Sequence, residues 1–212
     1  MIGKNVLSVL SIFAAVVLVL ILLAAFAIAK TGLVTIPVFS RLYHGPAPTR
    51  VVRTQPIEAN AFRVLVSGRL LAQTNQGELP PYEIRLSEAE LTGALLGAIP
   101  QALRDERWKI EHAQLVVTPS YVEANGRLVS RALRADLRAR FLPVIEKGGL
   151  RLVPVDIRFG DYPIHPDLAY RLAGLLFSRD FGTWILTFGD TRLESVRLED
   201  ASLELSASPV RP

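Results

Sequence analysis

"RALRADLRARFLPV", residues 131–144, decides how this chain folds. Its residue types are helix formers, and Arg127, Arg131, Arg134 and Arg138 recur at a spacing that would line one helix face. From Arg134 onward the stretch also alternates. Arg134, Asp136, Arg138 and Arg140 point one way; Ala135, Leu137, Ala139 and Phe141 point the other. Helical faces repeat about every 3.6 residues and strand faces about every 2, so the two readings put different residues in the core. The flanks favour the strand. Asn125-Gly126 upstream and Lys147-Gly148-Gly149 downstream are turn signals, with strand-like segments on either side. Helix propensity separates ordinary residues by under about 1 kcal/mol, which the burial of Leu137 and Phe141 on one face outweighs. The alternation predicts a strand with its arginines outward in water.

Working outward, Leu150–Phe159 reads as the next strand, with Pro154 marking an edge or a bulge. Trp108–Thr118 and Tyr121–Ala124 read as strands before it, the second closed by the Asn125-Gly126 turn. Ala61–Leu71 alternates Phe62, Val64 and Val66 against Arg63, Leu65 and Ser67 and reads as a strand too. Tyr82–Leu86 is a short strand running into a capping box, Ser87 and Glu90, that opens an apolar helix ended by Pro100. Gly93 and Gly97 give that helix one thin side. A second helix follows Pro166, striped by Leu168, Leu172, Leu175 and Leu176. Trp184–Phe188, Leu193–Leu198 and Ser202–Ala207 return to strand, the last two joined at Glu199-Asp200. The expected fold class is α+β: a single curved antiparallel sheet of about seven strands wrapped around two mostly buried helices, its convex face wet.

The N-terminus is different in kind. Val6 through Ala29 holds no charged residue and only two polar ones, Ser8 and Ser11. As a helix this run is about 36 Å long, against a hydrocarbon core of about 30 Å, so it is expected to be an uncleaved transmembrane anchor. Lys4 and Ala27-Ile28-Ala29 also fit a cleaved signal peptide, whose apolar core is usually about 7–15 residues. The short basic N-tail puts the domain outside, although Lys30 and Arg41 just beyond the span weaken the positive-inside count. The expected organisation is an anchor over 1–30, a Pro-rich juxtamembrane spacer over 31–60, and an extracytoplasmic domain over 61–208, attached to the cell membrane by a single pass.

Charge is uneven. Residues 30–81 carry six basic and two acidic side chains, and residues 82–212 seventeen and eighteen. Lys30, Arg41, Arg50 and Arg53 are therefore candidates for contact with anionic headgroups. No aromatic-interleaved basic patch points to nucleic acid. The chain has no cysteine, hence no disulfide framework and no thiolate metal site. Its three histidines, His44, His112 and His165, suggest little chemistry. Asp161, His165 and Asp167 could form an acid–base or metal cluster, but residues of these types also cap helix starts, and the bland reading is favoured. There is no phosphate loop and no nucleophile elbow. No enzyme, metal or cofactor is expected.

A helix opened by Ser87-x-x-Glu90-Leu91 after a strand, then "VDIRFGDYPIHPDLAYRLAGLL" and a closing "LESVRLEDASLELSA", is an order that resembles the YpmS-type family of membrane-anchored bacterial proteins. In that family a strand ending in Ile-Gly leads to a Pro-rich segment and a helix; Phe159-Gly160-Asp161-Tyr162-Pro163-Ile164-His165-Pro166 stands at that place here. The ending also resembles LmeA-type lipid-binding proteins and, more loosely, the tubular lipid-binding superfamily. The resemblance spans residues 82–207 and implies an anchored extracytoplasmic domain that holds a lipid or acyl chain, with no catalytic residues. Small residues on facing walls would leave room for such a chain. The groove candidates are Gly93, Leu96 and Gly97 on the first helix, Ala135, Leu137, Ala139 and Phe141 on the strand, and Leu172 and Leu176 on the second helix. The alternative is a non-enzymatic envelope protein-interaction or structural domain with a filled core.

Overall fold

The computed structural model describes residues 17–29, 45, 47–77, 79–103, 105, 107–131, 134–165, 167–169, 171, 185–186 and 191–209. Helix α1 covers residues 17–29. It is followed by α2 (Ala59–Asn75), β1 (Tyr82–Ser87), α3 (Glu88–Ala102), β2 (Lys109–Val117), β3 (Val122–Val129), β4 (Arg134–Glu146) and β5 (Gly149–Phe159). Short strands β6 (Tyr162–Pro163) and β7 (Ile185–Leu186) precede the closing hairpin of β8 (Thr191–Glu199) and β9 (Ser202–Pro209).

The strands form two antiparallel sheets, which corrects the expectation of a single curved sheet. The first has the order β1-β9-β8; the second runs β2-β3-β4-β5-β6, with β7 also on β5. The first sheet alternates cleanly. Ile84, Leu86, Leu203, Leu205, Ala207 and Leu193 are buried on one face, while Arg85, Glu204, Arg197 and Glu199 stand on the other. The buried face receives Val66, Phe62, Leu65 and Leu70 of α2, and Leu150 and Ile145 from the second sheet complete the core.

This core explains why Ala61–Leu71 is helical rather than extended. Phe62, Leu65, Val66 and Leu70 form a stripe at helical spacing that lands on the first sheet. The strand reading would have paired Val64 with Val66, but Val64 is exposed.

The expected strand over 134–141 is present and runs on to Glu146. The β4–β5 turn is built on Lys147 and Gly148, both at positive φ, as a two-residue hairpin favours. Pro154 lies beside a bulge: Arg140 pairs with Asp156 and Phe141 with Pro154, leaving Val155 unpaired in the ladder. Asn125-Gly126 is not a turn. It sits in mid-strand on β3, opposite a bulge in β2 between Glu111 and Gln114. A side chain at Gly126 would press on Ile110 and Ala113, so the glycine admits the bulge rather than a reversal. The capping box at Ser87 and Glu90 forms as read, but α3 runs two residues past Pro100.

Among the described residues no helix is long and apolar enough to cross a membrane. The anchor expected over Val6–Ala29 is corrected to that extent: the described part of the run, α1 over residues 17–29, does not make a spanning helix. Residues 6–16 of that run lie outside the described residues.

Candidate functional site

The segment expected to be a spacer lies against the domain. Residues 47–58 are extended and cross the polar face of the second sheet as a strap. Backbone and side chains share the hold. Thr49 N–H and Oγ1 each donate to Glu123 Oε1 at 3.2 Å. Val52 N–H donates to Gln114 Oε1 at 3.1 Å, and Gln114 Nε2 returns a bond to the Arg50 carbonyl at 2.7 Å. Further on, Ile57 N–H donates to the Gly93 carbonyl of α3 at 2.8 Å.

One strap side chain makes a clasp. The Arg50 guanidinium donates to both Glu88 oxygens, to Asp200 Oδ1 at 2.6 Å and to the Val117 carbonyl at 2.6 Å. It thus joins the strap, the start of α3, the β8–β9 turn and the end of β2. Its hydrogen bonds to Glu88 and then to Asp200 hold its proton more firmly still, above the ordinary arginine range. Around the clasp the C-terminal end of the outer edge of β2, Leu115 and Val117, is covered by other elements. Thr92 Oγ1 accepts from Leu115 N–H and donates to the Leu115 carbonyl, both at 3.0 Å, and Glu88 Oε2 accepts from Val117 N–H at 3.1 Å. The Val117 carbonyl also accepts from Ala201 N–H.

The arginine face of β4 is therefore not a wet convex surface, which corrects the reading of "RALRADLRARFLPV". The Glu123 side chain is 0 % exposed beneath the strap, and Arg140 Nε donates to its Oε2 at 3.0 Å while stacking over Tyr121. Burial alone would raise the Glu123 carboxyl. Donors on Asn125, Arg140 and Thr49 outweigh it and hold the group below the ordinary carboxylate range. Arg127 pairs with Asp136 at 2.6 Å, and Arg138, whose side chain is only 16 % exposed, faces Asp156. These are cross-strand pairs on one face, each acid matched by an arginine on a neighbouring strand.

Between the strap, α3 and this face lies a cleft of about 900 Å³. Pro48, Val51, Val52, Leu96 and Leu137 bring apolar groups to its lining, and Gln114, Asn125, Arg127 and Asp136 polar ones. Arg53 stands at its rim, exposed. His112 borders it from the β2 bulge at φ 53, a left-handed conformation a histidine adopts only where its surroundings impose it. The volume lies in the range of about 300–1,000 Å³ usual for small-molecule sites.

The expected groove residues do not gather in one place. Leu96 and Leu137 border the cleft. Gly93 and Gly97 face the strap instead: a Cβ on Gly97 would sit 2.8 Å from the Ile57 carbonyl carbon and closer still to its oxygen, and one on Gly93 2.8 Å from the Gln55 carbonyl oxygen. The thin side of α3 is filled by the chain's own backbone. Ala135 is buried on the apolar face of β4, where Ala139 and Phe141 are half-buried. Leu172 and Leu176 lie outside the described residues. Of the headgroup candidates, Arg50 is committed to the clasp and Arg53 is open; Lys30 and Arg41 lie outside the described residues. His165 and Asp167 are exposed at a helical turn whose Leu168 and Ala169 N–H groups donate to the His165 carbonyl. Among the described residues no three His, Asp or Glu side chains are grouped to hold a metal ion.

The sequence reading missed Gln114, Glu123 and Asn125. Their signal was the alternation Glu123, Asn125, Arg127 on β3, complementary in charge to Arg140, Arg138 and Asp136 on β4. No protein-family model, curated protein or solved structure matches the chain.

Proposed function

We propose that this domain is a non-enzymatic carrier of one amphiphilic molecule, a lipid or acyl chain, held in the cleft under the strap. The observation that carries this reading is the mixed lining: Pro48, Val51, Val52, Leu96 and Leu137 bring apolar groups to the same cleft as Gln114, Asn125, Arg127 and Asp136. A purely apolar molecule would leave the polar groups of the lining unmatched, and a purely polar one would leave its apolar groups unmatched. Each buried methylene contributes about 0.8 kcal/mol, so a short stretch of acyl chain suffices for useful binding. The resemblance to lipid-binding families points the same way and puts this work on the extracytoplasmic side of a membrane. No residue is given a catalytic role.

One observation favours the alternative of an interaction domain with a filled core: the space beside Gly93 and Gly97 is already taken by residues 55–58. The proposal therefore rests on the cleft alone. It is tested with a fluorescent fatty-acid probe and the variant Val51→Trp. Val51 lines the cleft and is 72 % exposed, so an indole there adds bulk at the cleft without disturbing the core. Uptake by the parent chain, reduced at least tenfold in the variant at unchanged melting temperature, is expected. Equal uptake by both, or none by either, removes the carrier reading and leaves the interaction domain.

A further inference from the structure

We propose that Arg138 and Arg158 together bind one tetrahedral oxyanion of the phosphate class, on the arginine face of the second sheet. The two residues are direct partners in the β4–β5 ladder, so their side chains leave the same face side by side. Like charges in that relation repel, and a sheet normally avoids them. Elsewhere on this face arginine and acid match one to one: Arg127 with Asp136 at 2.6 Å, and Arg140 with Glu123 at 3.0 Å. Asp156 instead serves two arginines. Its Oδ2 lies 3.2 Å from Arg158 Nε and 3.8 Å from Arg138 Nη2. Because both guanidinium groups reach one and the same oxygen, they stand close enough for a single anion to bridge them.

The aspartate does not satisfy the pair. Among the described residues the Arg138 guanidinium makes no hydrogen bond: at 3.8 Å its contact with Asp156 is an ion pair without one, and its Nε is buried without a partner. Arg158 commits only Nε, which donates to both Asp156 oxygens at 3.2 Å. The terminal nitrogens of both arginines are therefore donors for which the described residues supply no hydrogen-bond acceptor. The Arg158 side chain is 39 % exposed and gives access from solvent; that of Arg138, at 16 %, is held in place beside it. Two arginines against one aspartate leave an excess positive charge that draws an anion. A phosphate presents oxygens in several directions and meets both guanidinium forks at once, where a flat carboxylate meets one. The site adjoins the cleft without depending on what fills it. Arg138 faces Asn125 across the β3–β4 ladder and lies two residues beyond Asp136, and both of these line the cleft. A free phosphate and a lipid's phosphate head group offer the same chemistry here.

The test is calorimetric titration of the full chain, at low salt and below micellar concentrations, with inorganic phosphate, glycerol phosphate and oleoyl lysophosphatidic acid. Arg158→Gln removes the accessible half of the site, and Arg63→Gln, exposed on α2, removes the same charge elsewhere. Saturable binding is expected, weakened at least tenfold by Arg158→Gln, about what one hydrogen-bonded charge contact is worth, and unchanged by Arg63→Gln. Asp156→Asn should tighten the same probe severalfold, because it removes the competing anion and keeps the side chain's shape; a purely structural role for the arginines gives no such gain. Lysolipid binding at least tenfold tighter than glycerol phosphate assigns the site to a lipid head group, and equal binding of the two assigns it to free phosphates; the site stands in both cases. If no probe binds, or if Arg158→Gln weakens binding no more than Arg63→Gln does, the site is overturned. Lysolipid binding that survives Arg158→Gln but is lost in Val51→Trp overturns the site and upholds the carrier reading.

Discussion

Two glycines on two helices should respond to the same substitution with opposite signs. Gly→Ala in an exposed helix interior ordinarily stabilises by about 0.5–1 kcal/mol. Gly68 in α2 has nothing within 4 Å of where a Cβ would sit, so Gly68→Ala should follow that rule. Gly97 in α3 is covered by the Ile57 backbone, so there the added methyl must displace the strap. Moving Ile57 breaks its 2.8 Å bond to the Gly93 carbonyl, a loss of about 1 kcal/mol. Re-exposing part of its half-buried side chain costs about 1 kcal/mol more, and overpacking against a backbone that yields only partly adds about another 1 kcal/mol. The propensity gain of about 1 kcal/mol offsets a third of this. Gly97→Ala is thus expected to destabilise by about 2 kcal/mol, and the two variants to differ by about 3 kcal/mol. In a chain of this size each kcal/mol moves the melting temperature by about 2–4 °C. Urea denaturation and calorimetry measure the pair side by side. If Gly97→Ala is as stable as Gly68→Ala, residues 55–58 do not rest on α3, and the account of the strap is wrong.

Three further outcomes follow from the polar face. Glu123 has its folded pKa depressed, so its contribution is present above the unfolded value of about 4.3 and is lost as pH falls through the lower folded value; Tm measured from pH 7 to pH 3 should fall below about pH 4.5, and Glu123→Gln should flatten that limb. Arg138→Glu sets a second carboxylate beside Asp156 in a mostly buried position and should cost about 3 kcal/mol, whereas Arg134→Glu on the exposed end of β4 should stay within about 0.5 kcal/mol; equal Cm shifts in urea would return the arginine face to solvent. His112→Asn should be neutral or slightly stabilising because asparagine tolerates positive φ, and His112→Val should destabilise by about 1–2 kcal/mol, a contrast that disappears if the β2 bulge is absent.

What the sequence made legible was periodicity. Arg134–Phe141 alternates between turn signals, and it is a strand. Ser87 and Glu90 announce a helix start, and the cap forms. Ala61–Leu71 fits both periods; only the position of the first sheet, which accepts Phe62, Leu65, Val66 and Leu70 together, decides it. Alternation also says which residues share a face, not which face meets water. The arginines of β4 were assigned to solvent because nothing in residues 47–58 signals that they lie across them. That is physically sensible: part of the hold comes from the strap's own N–H and C=O groups at Thr49, Arg50 and Val52, which every sequence possesses, and the rest from Arg50, whose partners are brought near it only by the fold. Asn125-Gly126 misled for a related reason. A glycine that permits a tight turn also permits a close approach, and here it faces a bulge.

The closed edge of β2 has a consequence for how the chain reaches this state. A bare strand edge recruits other strands, and edges are where sheets aggregate. Here the groups that occupy the edge come from residues 50, 88, 92 and 201, far apart in sequence. The β2–β3–β4 meander can pair locally, and α3 covers Leu115 and the Val117 N–H, but the Val117 carbonyl meets its partners only once the last hairpin and the strap are in place. The hazardous interval in folding is therefore the one between meander and closure, and the N-terminal strap shortens it. A chain cut at residue 55 retains every strand yet lacks Arg50; it should refold into associating species that the full chain avoids, and sedimentation of both at equal concentration would expose the difference. On this account the strap that roofs the cleft also helps to cover the end of the β2 edge.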